Sequence, residues 1–278
     1  MESPLISVTS LFAKSKEENL KIIDVSMKTV IGKQPIINTS LTVIPNSIYL
    51  DLSSDLVDTA NQTVHAFPLK EQVLDALLKL GITQKTTIVL YDKQGIYSSP
   101  RVWWVLRSFG VENVYILDGG LPAWIKQGYP TSSKYNECPM SLNAPSLTYS
   151  DNAVVTKQQV LDNISNPKFS VLDVRASSRF LGEVQDPRKG VRSGHIPKSI
   201  NFPFETVLND NKYKSPEELQ NIFSEISNDK SVQLAFSCGS GITACITLVA
   251  ALLAGYHHVS LYDGSWSEWG SDMSLPIE

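Results

Sequence analysis

One pattern occurs twice in this chain, and it constrains the fold more than any other feature. In the first half, Ile22-Ile23-Asp24-Val25 is a short apolar run carrying an acid, and Val43-Ile44-Pro45-Asn46-Ser47-Ile48 follows as a turn into a second short strand. Val73, Leu77 and Leu80 then fall at helical spacing, and Gly81 closes that helix. A buried-strand run over 87–91, a Trp- and Leu-rich helix over 98–109 closed by Gly110, and a strand over 114–117 come next. Asp118-Gly119-Gly120 and a short helix around Trp124 end the unit. The second half repeats the order. Val171-Leu172-Asp173-Val174 answers the first strand, and His195-Ile196-Pro197-Lys198-Ser199-Ile200 answers the turn. A helix over 217–226 follows, and Tyr262-Asp263-Gly264-Ser265 with Trp269 ends the copy.

Two copies of an alternating strand and helix pattern predict an α/β protein of two domains, each a parallel sheet with helices on both faces. The boundaries fall at 1–130 and 151–278, with 131–150, rich in Ser, Asn and Pro, as a linker. A length of 278 residues and a hydrophobic share of 42% supply two cores. At a net charge of −4 nothing points to a nucleic-acid partner, which would need a basic face. No apolar run approaches the roughly 20 residues of a membrane helix. The start has no long apolar core of a signal peptide. Three cysteines, an odd number, do not make a disulfide framework, so a reducing cytoplasm is the expected compartment.

The chemistry concentrates in Cys238-Gly239-Ser240-Gly241-Ile242-Thr243-Ala244-Cys245. An apolar run over 232–236 precedes it, and an uninterrupted apolar run over 246–254 follows. That reads as strand, tight loop and helix, with Cys238 at the strand exit and the helix starting near Thr243. Gly239 and Gly241 let backbone N–H groups turn inward, and a helix N-terminus adds partial positive charge. Both favour a thiolate on Cys238, and a cradled thiolate is a nucleophile. A buried cysteine without such a setting is commonly inert. Aligning the copies puts Asp92 where the second has Cys238. A carboxylate cannot take up sulfur, so only the second copy is equipped for cysteine chemistry, and the first is expected to be catalytically inactive.

Taken together, the dead first copy, the Cys loop, Gly194-His195-Ile196-Pro197-Lys198-Ser199-Ile200-Asn201, Tyr262-Asp263-Gly264-Ser265-Trp266-Ser267-Glu268-Trp269 and Ser98-Ser99-Pro100-Arg101-Val102-Trp103-Trp104 resemble the tandem rhodanese-fold sulfurtransferases over nearly the whole chain. Within them the Cys238–Cys245 string is similar to the 3-mercaptopyruvate branch, because the thiosulfate branch typically has basic residues just after the Cys. Physical reasoning agrees. Thiosulfate is a compact dianion that calls for cations inside the loop, whereas Gly239 and Ser240 are neutral. An α-keto carboxylate needs its cation beside the loop.

The resemblance implies site residues. Arg179 and Arg188 occupy the positions of arginines that bind the donor carboxylate and carbonyl, a task suited to a guanidinium. Without it they read as surface arginines of a solvated loop. His65 sits where the family has a histidine facing the Ser two places after the Cys, so His65 and Ser240 are implied as a proton relay. The family's acid of that relay has no plain counterpart here: Asp51 is followed by Leu52 and Ser53, and Asp51 and Asp55 both remain candidates. The loop Gly239, Ser240, Gly241, Ile242 and Thr243 would cradle a Cys238 persulfide. His195 is read as structural, Arg175, two residues after Asp173, as a member of a structural ion pair, Cys245 as a packed small residue and Cys138 as an ordinary exposed thiol.

The reaction so implied moves sulfur from 3-mercaptopyruvate through Cys238 to a thiol such as thioredoxin, a small thiol or cyanide, and releases pyruvate. It needs no cofactor, and no Cys and His cluster has zinc spacing. Thiosulfate as donor and a non-catalytic sulfur-relay module remain open alternatives. A cysteine phosphatase would need an Arg where this chain has Ala244.

Overall fold

Short apolar strands between longer helices build two five-stranded sheets in the structure, a computed structural model that describes residues 3–28 and 40–278. Two compact units contain them. The first comprises residues 1–58, 67–150 and 210–213, and the second 59–66, 151–209 and 214–278. The segment 59–66 therefore belongs to the second unit although it lies in the first half of the sequence.

In the first unit the elements run β1 (Leu5–Ile6), α1 (Val8–Lys14), β2 (Leu20–Asp24), β3 (Ile48–Tyr49), α2 (Leu52–Asp55), α3 (Lys70–Lys79), β4 (Thr87–Tyr91), α4 (Ser99–Ser108), β5 (Val114–Leu117) and α5 (Gly120–Lys126). The sheet order is β1-β5-β4-β2-β3, with all neighbours parallel. Its core gathers Leu11, Ile22, Val89, Tyr91, Leu117 and Trp124. Residues 131–150, expected as linker, are counted in this unit. Val43 pairs with Ser132, Thr148 N–H donates to Phe109 C=O at 3.0 Å, and Leu147 is buried. Cys138 is half-buried rather than exposed, and the Lys21 ammonium donates to its sulfur at 3.0 Å.

The second unit repeats the plan with β6 (Val154–Val155), α6 (Lys157–Ser165), β7 (Ser170–Asp173), α7 (Ser177–Phe180), β8 (Ile200–Asn201), a single 3-10 turn (Phe204–Val207), α8 (Pro216–Ser224), β9 (Leu234–Ser237), α9 (Ala244–Leu253), β10 (Val259–Tyr262) and α10 (Ser265–Trp269). The sheet order is β6-β10-β9-β7-β8, again all parallel. Strand β9 starts two residues later than the apolar run suggests. Asp229 ends the preceding chain in a turn, its backbone and carboxylate accepting the N–H groups of Val232 and Ser231. Strands β9 and β10 are buried along their length, as parallel sheets covered on two faces require. Helix α9 is buried all round from Ala244 to Ala251, which its unbroken apolar sequence permits.

The repeat extends to single hydrogen bonds. Trp124 and Trp269 occupy matching positions, both fully buried, and their indole N–H groups donate at 2.8 Å to Pro130 C=O and Pro276 C=O. At the carboxyl end of β7 the copies diverge. Asp173 and Arg175, both buried, form an ion pair at 2.6 Å, and the guanidinium also donates to Gly194 C=O and stacks on Trp266 at 4.5 Å. Replacing Asp173 by Ala leaves a buried guanidinium without its counter-ion. It is expected to lower the stability of the second unit by about 3–5 kcal/mol, measured as a shift of its urea midpoint.

Candidate active site

Strand β9 delivers Cys238 to the carboxyl edge of the second sheet, where the residue is 2% exposed. Its backbone is held on both sides. The Cys238 N–H donates to Ser265 Oγ at 3.0 Å, and its C=O accepts the Trp266 N–H at 2.9 Å. Gly239 C=O accepts the Ser267 N–H at 3.0 Å. Ser265 makes this possible from a strained conformation. Its φ is +51°, the value that Gly120 has at the matching place in the first unit. A side chain there costs about 1–3 kcal/mol. The Ser265 hydroxyl offsets that by accepting the Cys238 N–H while donating to Tyr262 C=O at 2.8 Å.

The first unit shows what such a loop does with an anion. Asp92 follows β4 as Cys238 follows β9, and Gly95-Ile96 answers Gly241-Ile242, with φ of +99° and +77° at the two glycines. The fully buried Asp92 carboxylate fills its own loop. Its Oδ2 accepts N–H groups of Tyr97, Ser98 and Ser99 at 2.9, 3.1 and 3.0 Å and the Ser99 hydroxyl at 2.7 Å. Its Oδ1 accepts the Gln94 N–H at 3.1 Å. By sequence alignment, Ser240, Thr243, Ala244 and Cys245 occupy the corresponding positions after Cys238. Thr243 caps α9, and Ala244 starts it. Cys245 is fully buried, and its thiol donates to Gly241 C=O at 3.5 Å.

Two guanidinium groups lie against Gly239. A Cβ on that glycine would sit 3.2 Å from one Arg188 terminal nitrogen and 3.5 and 3.7 Å from those of Arg179. The loop can therefore carry only a glycine here without moving Arg188. Asp186 joins the pair. Its side chain is 2% exposed, its Oδ2 meets the Arg179 guanidinium at 2.5 Å, and its Oδ1 accepts the Arg188 N–H at 3.0 Å and lies 3.6 Å from that guanidinium. Arg179 Nε and Arg188 Nη1 are buried yet donate no hydrogen bond. Unmet donors of this kind are costly unless a ligand accepts from them. The neighbouring Arg192 is spent on four main-chain carbonyls, those of Trp269, Gly270, Asp272 and Leu275. His195 Nδ1 meets Phe180 C=O at 2.9 Å, and its ring stacks on Phe180 at 3.7 Å, anchoring the short helix α7 that carries Arg179.

Within the same unit, His65 Nδ1 lies 3.2 Å from Ser240 Oγ. His65 has φ of +58°, a left-handed conformation that histidine tolerates better than most residues. The carboxylates of Asp51 and Asp55 are engaged around α2. Asp51 Oδ1 accepts the Ser53 N–H at 3.0 Å, Asp51 pairs with Lys28 at 3.4 Å, and Asp55 Oδ2 accepts the Asp51 N–H at 2.9 Å. Among the described residues no group of three or more His, Cys, Asp or Glu side chains is placed to hold a metal ion.

The structure thus brings Arg179 and Arg188 to Gly239, next to Cys238, and His65 to Ser240. It also reveals two residues that the sequence reading passed over. Asp186 lies inside the string that contributed both arginines, and its place between them in sequence was the available signal. Ser265 departs from Gly120 within the repeat, which was the signal for it.

A model of the rhodanese-like domain matches residues 7–127 and 156–272. Thiosulfate/3-mercaptopyruvate sulfurtransferase 1, mitochondrial, of Arabidopsis thaliana is 36% identical over 298 residues, covering 99% of this chain and 78% of that protein. The 3-mercaptopyruvate sulfurtransferase of Mus musculus is 39% identical over 230 residues, covering 81% of this chain and 76% of the relative. The crystal structure of the 3-mercaptopyruvate sulfurtransferase SseA from Escherichia coli aligns with a TM-score of 0.82 at 30% identity, over 96% of this chain and all of that one.

Two substitutions test the loop geometry. Asp92→Ala orphans several buried donors and is expected to cost about 3 kcal/mol or more, read from denaturant unfolding. Ser265→Ala keeps the strained backbone and strands the Cys238 N–H, and should cost about 1–3 kcal/mol by the same measurement.

Proposed function

The chain belongs to the rhodanese-like family, and on that premise we propose that it is a sulfurtransferase that takes sulfur from 3-mercaptopyruvate. The observation that carries this reading is the pair of guanidinium groups packed on Gly239, one residue from Cys238, with buried donors left unmet. They suit the carboxylate and keto oxygen of an α-keto acid whose sulfur then reaches Cys238.

The Cys238 thiolate attacks the donor sulfur. A sulfur–sulfur bond forms, the carbon–sulfur bond breaks, and its electron pair passes to pyruvate as an enolate. That carbon takes a proton from Ser240, which recovers it through His65, 3.2 Å away. The Cys238 persulfide rests in the loop formed by Gly239, Ser240, Gly241, Ile242 and Thr243. Main-chain N–H groups are suited to hold its charge, as those around Asp92 hold a carboxylate in the first unit. An acceptor thiolate then attacks the outer sulfur and Cys238 leaves as the thiolate. Cyanide in the same role gives thiocyanate. No step needs an added oxidant or reductant.

We assign catalysis to the second unit, because Asp92 cannot carry sulfur. A thiol acceptor such as thioredoxin or a small thiol fits the chemistry, and a reducing compartment, the cytoplasm, suits three free cysteines. Among the described residues no helix is long and apolar enough to cross a membrane.

The test compares the two donors with cyanide as common acceptor. A kcat/KM at least tenfold higher for mercaptopyruvate than for thiosulfate, about 1.4 kcal/mol of transition-state discrimination, is expected. A preference for thiosulfate would overturn the donor assignment and leave the family intact. Cys238→Ser should abolish pyruvate release.

A further inference from the structure

Two arginines beside an anion site pose a problem of selectivity. A doubly positive cluster favours a compact dianion over a monoanion, and the donor proposed above carries a single charge away from its sulfur. The side chain between the arginines resolves this. The Asp186 side chain is almost wholly buried and gives one carboxylate oxygen to each arginine, Oδ2 to the Arg179 guanidinium and Oδ1 to the Arg188 main-chain N–H, near its guanidinium. Lys189, the next cation along the chain, is exposed to solvent, and the Arg192 guanidinium is spent on carbonyls. The three side chains of Arg179, Asp186 and Arg188 therefore sum to one positive charge.

Resting on the sulfurtransferase reading, we propose that Asp186 is a specificity-determining residue that sets the charge of the donor: it trims the arginine pair to a site for a monoanionic carboxylate and against a dianion. The geometry supports a second effect of the same group. Asp186 Oδ1 lies 3.6 Å from Arg188 Nη1, beyond hydrogen-bond distance, so this nitrogen and Arg179 Nε keep donors that no hydrogen bond meets, and Arg188 Nη1 is 3.2 Å from where a Cβ on Gly239 would stand. Asp186 thus acts through the arginines as a positioning residue, fixing which N–H groups remain for the ligand. A monoanion entering this site cancels the residual charge. A dianion leaves an uncompensated negative charge in a partly dry loop, where screening by salt is weak.

The experiment compares Asp186→Asn, Asp186→Glu and the unaltered protein, each assayed with mercaptopyruvate and with thiosulfate. Asp186→Asn should raise the ratio of kcat/KM for thiosulfate over mercaptopyruvate at least tenfold, chiefly through KM. Asp186→Glu, which keeps the charge, should leave the ratio within a few-fold of the starting value. A loss of both donors in equal proportion in Asp186→Asn would mean that Asp186 only holds the loop in shape, and would overturn the proposal. So would an Asp186→Glu variant whose ratio moves as far as that of the amide. Asp186→Ser carries the same test if the amide variant does not fold. A binding series separates this inference from the reading beneath it. In the Cys238→Ser background, calorimetry measures affinity for pyruvate, a monoanion, and for sulfate, a dianion. Asp186→Asn should shift the relative affinity toward sulfate by tenfold or more, and an unchanged ratio would overturn the charge account. If the unaltered protein turns over neither donor, the reaction assignment fails, while the anion series still reads the effect of Asp186.

Discussion

Each unit passes from a central parallel strand into a helix through a short glycine-containing loop, and in the first unit the N–H groups of that loop converge on a single buried anion. Three main-chain N–H groups and a hydroxyl meet one oxygen of Asp92. Helix N-termini leave their first N–H groups without partners, so a loop of this kind is satisfied by negative charge. The first unit supplies that charge from its own side chain and closes the site. The second has a sulfur atom at the same position, whose thiolate would keep its negative charge on taking up a second sulfur. The residue at the strand exit, Asp92 in one unit and Cys238 in the other, is one of the places where the two repeated loops differ.

That frame is held by interactions that are themselves specific. Cys238 is fixed by the hydroxyl of Ser265, a residue kept in a left-handed conformation that the first unit gives to glycine. The loop's Gly239 leaves room for the Arg188 guanidinium, and His195 stacks on Phe180 next to Arg179 in α7. Near the sulfur lie the guanidinium groups of Arg179 and Arg188, against Gly239, and the Ser240 hydroxyl with His65 3.2 Å from it. They come from different stretches of chain: the loop after β9, α7 with the segment after it, and the segment 59–66 that packs within the second unit.

Much of this is legible in the sequence. The doubled order of apolar runs, helical periods and Asp-Gly turns gave both sheets, because hydrophobic period and chain reversal are local properties. The loop at Cys238 was readable for the same reason, since strand, glycine turn and helix are contiguous. Arg179 and Arg188 required the family resemblance, because nothing in a Ser-Arg-Phe or Asp-Pro-Arg string says what it folds against. Asp186 and Ser265 escaped because their meaning is non-local. A carboxylate between two arginines reads as ordinary surface charge until its burial is known, and Ser265 acquires its role only when β9 and α10 meet. Residues 131–150 looked like a linker by composition, yet Leu147 and the Thr148 main chain pack within the first unit. Composition reports the lack of a regular period, which is a different thing from the lack of contacts.

The most direct test of the account is the intact mass of the protein after brief exposure to 3-mercaptopyruvate without any acceptor, followed by peptide mapping. The account predicts the gain of one sulfur atom on the peptide that contains Cys238, its removal by cyanide, and no gain on the peptides of Cys138 or Cys245. Pyruvate formed in full while Cys238 carries no added sulfur at any time would contradict it.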